Sequence, residues 1–231
     1  AGALREELGE ADEAIQAYQS VLALGDPGTE PAVMAALDRA IVLYEAETAF
    51  EPLVAALRRK ALALALQGEP ASERKPFLFR AADVSEVELG DIPAATELYE
   101  QVRDLDPADL TAFDNLRRLY GEGERWDDLE GLLVDARTRA PDDRSANVTD
   151  YMLAQLYENQ LAREADALDR YEAILDRTPA FPAARRALES ARGERDAGPR
   201  AADILERSYT GTDDVPALVG LLVSRLERWP E

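Results

Sequence analysis

The feature that most constrains this chain is that it repeats itself. Leu37-Asp38, Leu43-Tyr44, Phe50-Glu51, Leu53 and Leu57 line up with Phe113-Asp114, Leu119-Tyr120, Trp126-Asp127, Leu129 and Leu133 at a constant offset of 76, without a gap. A further shift of 89 carries Asp114, Leu116, Arg118, Tyr120, Leu129, Gly131, Leu132, Leu133 and Val134 onto Asp203, Leu205, Arg207, Tyr209, Leu218, Gly220, Leu221, Leu222 and Val223, all identical. A second unit alternates with the first: Gly9, Ala14, Tyr18 and Val21 recur as Gly90, Ala95, Tyr99 and Val102, and again as Ala162, Ala167, Tyr171 and Ile174, at offsets of 81 and 72. The chain is three copies of a two-unit super-repeat. Periods of this size denote stacked supersecondary units that bury their apolar faces only against their neighbours.

The units are helical. Trp126, Leu129, Leu132, Leu133 and Ala136 form one stripe at spacings of three and four, while Asp127, Glu130, Asp135 and Arg137 fall on the other side. Similar stripes run through Ala14, Ile15, Tyr18, Val21 and Leu22 and through Ala167, Leu168, Tyr171, Ile174 and Leu175. Strand-like alternation is not sustained anywhere. Short breaks punctuate the stripes at Gly25-Asp26-Pro27-Gly28, Gly68-Glu69-Pro70, Leu89-Gly90-Asp91, Asp106-Pro107, Ala140-Pro141-Asp142-Asp143 and Thr178-Pro179. Proline lacks the amide that a continuing helix needs, and glycine tolerates a left-handed cap. About a dozen helices joined by tight turns are predicted, including an extra one from about Phe181 to Ala191, with a longer polar loop from Gly193 to Pro199.

Composition then excludes whole classes of chemistry. With no His and no Cys, the chain cannot build a His-based acid–base pair, a Cys nucleophile, a disulfide, an iron–sulfur cluster or a typical zinc site. Its 26 Lys and Arg against 47 Asp and Glu leave a formal charge of −21, which opposes nucleic acid and anionic membrane surfaces. No apolar run approaches the roughly 20 residues of a membrane span. Lys60 and Lys75 are the only lysines, an arginine bias that suggests a GC-rich bacterial coding sequence. Aromatics make up 6% of residues, few for sugar-binding platforms.

Each unit resembles the tetratricopeptide repeat (TPR), a 34-residue helix–turn–helix. Pro107 and Pro141 stand 34 apart, with Phe113, Leu116 and Tyr120 on the first helix between them and Leu133 and Ala136 on the second. The opening stretch Leu8 to Tyr18 is the closest local match. Arg117 and Leu129 depart from the small residues of the family pattern. The resemblance implies an all-α, right-handed α-solenoid of antiparallel helix pairs: a single array over 1–231 with units near 1–28, 29–70, 71–107, 108–143, 144–179 and 180–231. The array is expected to be a fragment, since no Met opens it and Ala1 to Leu8 supply only the end of a first helix; the partner helix over residues 11–24 then lacks part of its cover, and the first two helices should fray and exchange fastest.

Local motifs read as structure. Ser72-Glu73-Arg74-Lys75 matches the Ser-x-x-Lys pattern of penicillin-recognising enzymes without its companion motifs, so Ser72 is expected to cap a helix. Gly121-Glu122-Gly123 lacks the third glycine of a phosphate loop and reads as a helix-pair turn. Asp127-Asp128, Asp142-Asp143 and Asp213-Asp214 could form carboxylate pairs or a calcium site, but they fall at helix starts, where the helix dipole favours negative charge. Tyr44, Tyr120 and Tyr209 recur in register as packing residues.

The resemblance implies a non-catalytic module that binds protein or peptide, with no cofactor, no metal and no catalytic residues. The alternatives are the helical regulatory region of a multidomain enzyme such as a signalling kinase, and an α/α-toroid hydrolase working with carboxylates alone. Fold alone warrants no more. In such arrays the first helix of each pair lines the concave face, which places Arg80, Val84, Glu88, Thr111, Asp114, Arg118, Glu122, Met152, Leu156, Asn159 and Gln160 there. Arg80 and Arg118 are the expected anchors for a carboxylate, because a guanidinium binds one bidentately. Partner identity, compartment and oligomeric state have no signal in the sequence.

Overall fold

A computed structural model of the chain describes residues 11–24, 31–193 and 197–228, and every regular element among them is an α-helix. Two compact units emerge, Ala1–Leu119 and Tyr120–Glu231. The first carries α1 (Ala11–Leu24), α2 (Pro31–Ala46), α3 (Phe50–Leu66), α4 (Ala71–Val87), α5 (Ile92–Leu105) and most of α6 (Leu110–Glu122). The second carries the end of α6, then α7 (Trp126–Thr138), α8 (Asp143–Asn159), α9 (Glu164–Arg177), α10 (Pro182–Ala191), α11 (Gly198–Thr210) and α12 (Val215–Arg228). Helices joined by short turns, such as α2 and α3, α4 and α5, α8 and α9, and α11 and α12, pack on one another as antiparallel pairs. Among the described residues, no helix is long and apolar enough to cross a membrane.

The helix boundaries reproduce the sequence offsets. Helices α4 and α8 are both 17 residues long and start 72 apart, and α5 and α9 are both 14 long at the same offset. The starts of α3 and α7 differ by 76 and those of α7 and α12 by 89. The turns repeat as well. Thr48, Glu124 and Asp213, related by 76 and 89, have φ of 53°, 53° and 52°. In the same three turns the amides of Ala49, Arg125 and Asp214 donate to the carbonyls of Tyr44, Tyr120 and Tyr209. The other unit type reverses differently: Asp91 and Arg163 donate to Ser85 and Tyr157, with Gly90 (φ 64°) and Ala162 (φ 51°) left-handed.

Gly90 and Ala162 are therefore one position filled in two ways. A side chain in the left-handed region costs roughly 1–2 kcal/mol, and a Cβ on Gly90 would meet nothing within 4 Å, so the backbone conformation is the whole cost. Gly90→Ala is expected to lower stability by about 1 kcal/mol and Ala162→Gly to raise it by somewhat less, since glycine also loosens the unfolded chain. Urea denaturation of both variants checks this; changes of the same sign would contradict it.

Small and aromatic residues share the interior as the repeat requires. Ala14, Ala95 and Ala167 are buried and let helices approach, while Tyr18, Tyr99 and Tyr171 one turn later fill the gaps alongside. Tyr44, Tyr120 and Tyr209 are also buried, in line with a packing role. Asp142 caps α8, accepting from the Ser145 amide at 2.7 Å, and this hydrogen bond holds its carboxyl below the usual carboxylate range. Asp214 caps α12, and Asp127 and Asp128 lie in the first turn of α7. Gly121 and Glu122 end α6 and Gly123 enters the turn, as read.

Two local readings change. Ser72 does not cap: Pro70 holds the cap position of α4 without a side-chain bond, and Ser72 lies exposed in the first turn. The loop expected at Gly193 to Pro199 is shorter, because α11 begins at Gly198. Pro199 sits in its first turn, where a missing amide costs nothing. Residues 194–196 lie outside the described residues, as does the stretch Ala1 to Leu8 read as the end of a first helix. The extra helix is present as α10.

Candidate functional site

The residues expected on a concave lining divide by burial and by partner. In the first unit Glu88, Thr111 and Asp114 are exposed. The two expected anchors are tied to neighbouring helices: Arg80 Nε lies 3.2 Å from Glu45 on α2, and Arg118 donates to Glu86 on α4 at 2.5 Å and to Asn115 at 3.4 Å. In the second unit Glu122, Asn159 and Gln160 are exposed and Met152 is half-buried. Val84 and Leu156 are a correction. They are 2% and 5% exposed and face the core, so a partner cannot reach them. The reason is shared, since they stand 72 apart at one repeat position. Ala81, Ala82, Val84 and Ser85 on α4, like Leu153, Ala154, Leu156 and Tyr157 on α8, are buried together, so each helix is covered on two sides rather than one.

The Ser-x-x-Lys motif resolves into structure. Lys75 Nζ sits 2.7 Å from both Asp106 and Asp109, clamping α4 to the turn before α6. These carboxylates raise the lysine's pKa above its ordinary value, the opposite of what a general base for Ser72 would need.

Two places that the sequence reading did not single out are better formed. In the first unit α3, α4 and α5 enclose an open groove of about 260 Å³. Ala61, Leu62, Ala65, Leu78 and Leu105 supply its apolar lining, with Arg58, Arg74, Gln101 and Asp104 around them. Leu62 is 59% exposed at the rim. Arg58 is engaged with Glu97 at 2.8 Å, whereas Arg74 Nε is buried with no hydrogen-bond partner among the described residues. An apolar floor beside an unsatisfied cation suits an aliphatic side chain with a carboxylate next to it.

The second unit has the same three-helix arrangement in α7, α8 and α9, but charge fills it. Asp150, 1% exposed on α8, receives Arg137 Nε at 2.8 Å and Arg177 Nη2 on one oxygen, and Arg170 Nη1 lies 3.5 Å from the other. Arg177 Nε also donates to Asn147 at 2.9 Å, and Asn147 donates to Thr178 at 2.8 Å. Nearby acids are occupied: Glu130 accepts from Arg163 and Tyr157, and Asp135 accepts from Arg139. A signal for this cluster was present in the sequence. Applying the offset of 72 to Leu78, Leu98 and Leu105 lands on Asp150, Arg170 and Arg177.

No family model matches the chain, and no curated protein matches it. Solved structures do resemble it. YrrB, described as a TPR protein with an unusual peptide-binding site, is 16% identical over 81% of this chain and 88% of its own, with a TM-score of 0.38. BtubC from P. vanneervenii is 15% identical over 98% and 90%, with a TM-score of 0.37. The TPR2AB domain of yeast Sti1, in complex with pHSP90, is 13% identical over 95% and 92%, with a TM-score of 0.35. The repeat within this chain stands independently, on its own helix boundaries and turns.

Proposed function

We propose that the chain is a non-catalytic scaffold that binds a protein or peptide segment. The observation that carries this reading is the groove over α4, which presents an apolar floor, an exposed leucine and, in its lining, Arg74, whose Nε has no partner among the described residues. A segment with Leu or Ile beside Asp or Glu would bury its aliphatic side chain against Ala61, Leu78 and Leu105 and pair its carboxylate with the Arg74 guanidinium. The chain's charge of −21 does not forbid this, because beyond a Debye length of about 8 Å exposed charges are largely screened at physiological salt. The exposed Glu88, Thr111 and Asp114 offer a separate contact line in the same unit.

Peptide-library selection on the full chain, followed by fluorescence anisotropy with the selected peptide, tests the reading. Enrichment of aliphatic residues adjacent to acidic ones is expected. Arg74→Gln and Leu62→Asp should each weaken binding by about fivefold or more, with little change in thermal midpoint, because both positions reach the groove rather than hold the core. Full affinity in both variants would rule out this groove.

A further inference from the structure

We infer that the cluster of Arg137, Arg170 and Arg177 over Asp150 is a binding site for a phosphate group carried as a monoester or as the free ion. Three guanidiniums face one carboxylate, which leaves a formal surplus of two positive charges. The neighbouring acids cannot absorb that surplus, since Glu130 and Asp135 already hold Arg163 and Arg139. A phosphate near neutral pH carries close to two negative charges and several acceptor oxygens, so it matches both the charge and the donors.

The donors are held ready for it. Asp150 is sealed beneath the arginines, whose side chains keep 32%, 35% and 21% of their surface exposed for Arg137, Arg170 and Arg177. Arg177 is fixed from two sides, by Asp150 and by Asn147. Arg137 spends only Nε on Asp150, so its terminal nitrogens have no acceptor among the described residues. The carboxylate thus acts as a positioning group: it accepts from Arg137 and Arg177 and holds Arg170 in a longer ion pair at 3.5 Å, while the Tyr157 ring, 6.0 Å from the Arg170 guanidinium, backs the third donor. Three guanidiniums are so brought together before an anion arrives, which lowers the ordering cost of binding it.

The chain itself supplies the control that separates this role from packing. Leu78, Leu98 and Leu105 stand at the positions of Asp150, Arg170 and Arg177 in the preceding copy. Arg137 corresponds to Ala61 counted from the helix start and to Ala65 counted from the helix end, an alanine either way. The same helix trio therefore packs with an apolar set. Buried charge is an expensive way to fill such a place, and replacing it with apolar residues is often neutral or stabilising. Packing does not account for four charged residues arriving together at one site in a chain that is otherwise strongly acidic.

The test is a titration of the full chain with inorganic phosphate at constant ionic strength in chloride, followed by NMR shifts or calorimetry. Saturable binding is expected. The quadruple variant R137A/D150L/R170L/R177L, which carries the residues of the preceding copy, should stay folded by circular dichroism and bind phosphate at least about tenfold more weakly. Arg137→Ala alone, at a partly exposed position, should weaken it about threefold or more and decides the matter if the quadruple variant fails to fold. A parallel arm compares a phosphoserine peptide with free phosphate. Tighter binding of the peptide assigns the group to a modified partner, and equal affinity assigns it to the free ion. No saturation by the wild-type chain, or unchanged affinity in the variants, would overturn the site. Peptide binding at the α4 groove should survive all of these substitutions, so the two readings fail separately.

Discussion

Asp150→Leu on its own is expected to cost about 3 kcal/mol, more than any other single polar substitution in the second unit. Removing one partner of a buried ion pair typically costs about 3–5 kcal/mol, because the remaining charge is left desolvated and uncompensated. Here three cations would converge on a leucine. Each arginine keeps a fifth to a third of its surface in water, which relieves part of the penalty and places the expectation at the lower end. The quadruple variant with the apolar residues of the preceding copy should return to within about 1 kcal/mol of the wild type. The difference between the two variants measures the coupling among the four positions. Stacked repeats can unfold in parts, so the loss should be read as faster hydrogen exchange in α7, α8 and α9 alongside urea denaturation. A D150L chain within 1 kcal/mol of the wild type would show that the arginines do not depend on this carboxylate.

Much of the fold was legible because its signals are local and repeated. A stripe at helical spacing followed by Pro or Gly marks a helix end whatever packs on it, and three copies let each boundary be read more than once. What failed were positions decided by neighbours. Val84 and Leu156 read as outward because a helix pair taken alone buries one stripe; a third helix covers the second side. Ser72 has the chemistry of a cap, but Pro70 sits where the chain turns into α4, two residues too early for the hydroxyl to serve. Arg80 and Arg118 were legible as cations and not as members of the pairs with Glu45 and Glu86, whose partners lie 35 and 32 residues away. The groove over α4 depends on three helices meeting and leaves no motif. The arginine cluster could have been found by asking where the copies disagree: identity between repeats reports packing, and a coordinated change from Leu, Leu and Leu to Asp, Arg and Arg reports something else.

Tyr171→Ala is expected to be the most damaging core substitution, at about 3–5 kcal/mol, the usual cost of removing a large buried ring. Tyr171 is 2% exposed, and its ring lies 6.0 Å from that of Tyr151, which in turn lies 6.3 Å from Phe181, so Tyr171 anchors one end of a row of three rings that links α9, α8 and the start of α10. Its hydroxyl donates to the exposed Glu158 at 2.9 Å. Tyr171→Phe loses only that bond and should cost about 1 kcal/mol, since water can take the place of the phenol at Glu158. The two variants should also part at high pH. Burial, and then the Glu158 bond, raise the phenol's pKa above its ordinary value of 10.0, so the native state keeps a proton that the unfolded chain releases. The sign follows: this contribution is fully present below about pH 10 and is lost as pH rises toward the folded value. Tyr171→Phe, with no proton to lose, should show a shallower alkaline decline than the wild type. The repeat supplies a duplicate, because Tyr99, 72 residues earlier, is 1% exposed, lies 6.1 Å from Phe79 and donates to Asp83. Tyr99→Ala should cost a similar amount with the loosening confined to the first unit, and hydrogen exchange can place each loss. If both alanine variants loosened the same helices, the stability of the chain would be global rather than held by nearest neighbours.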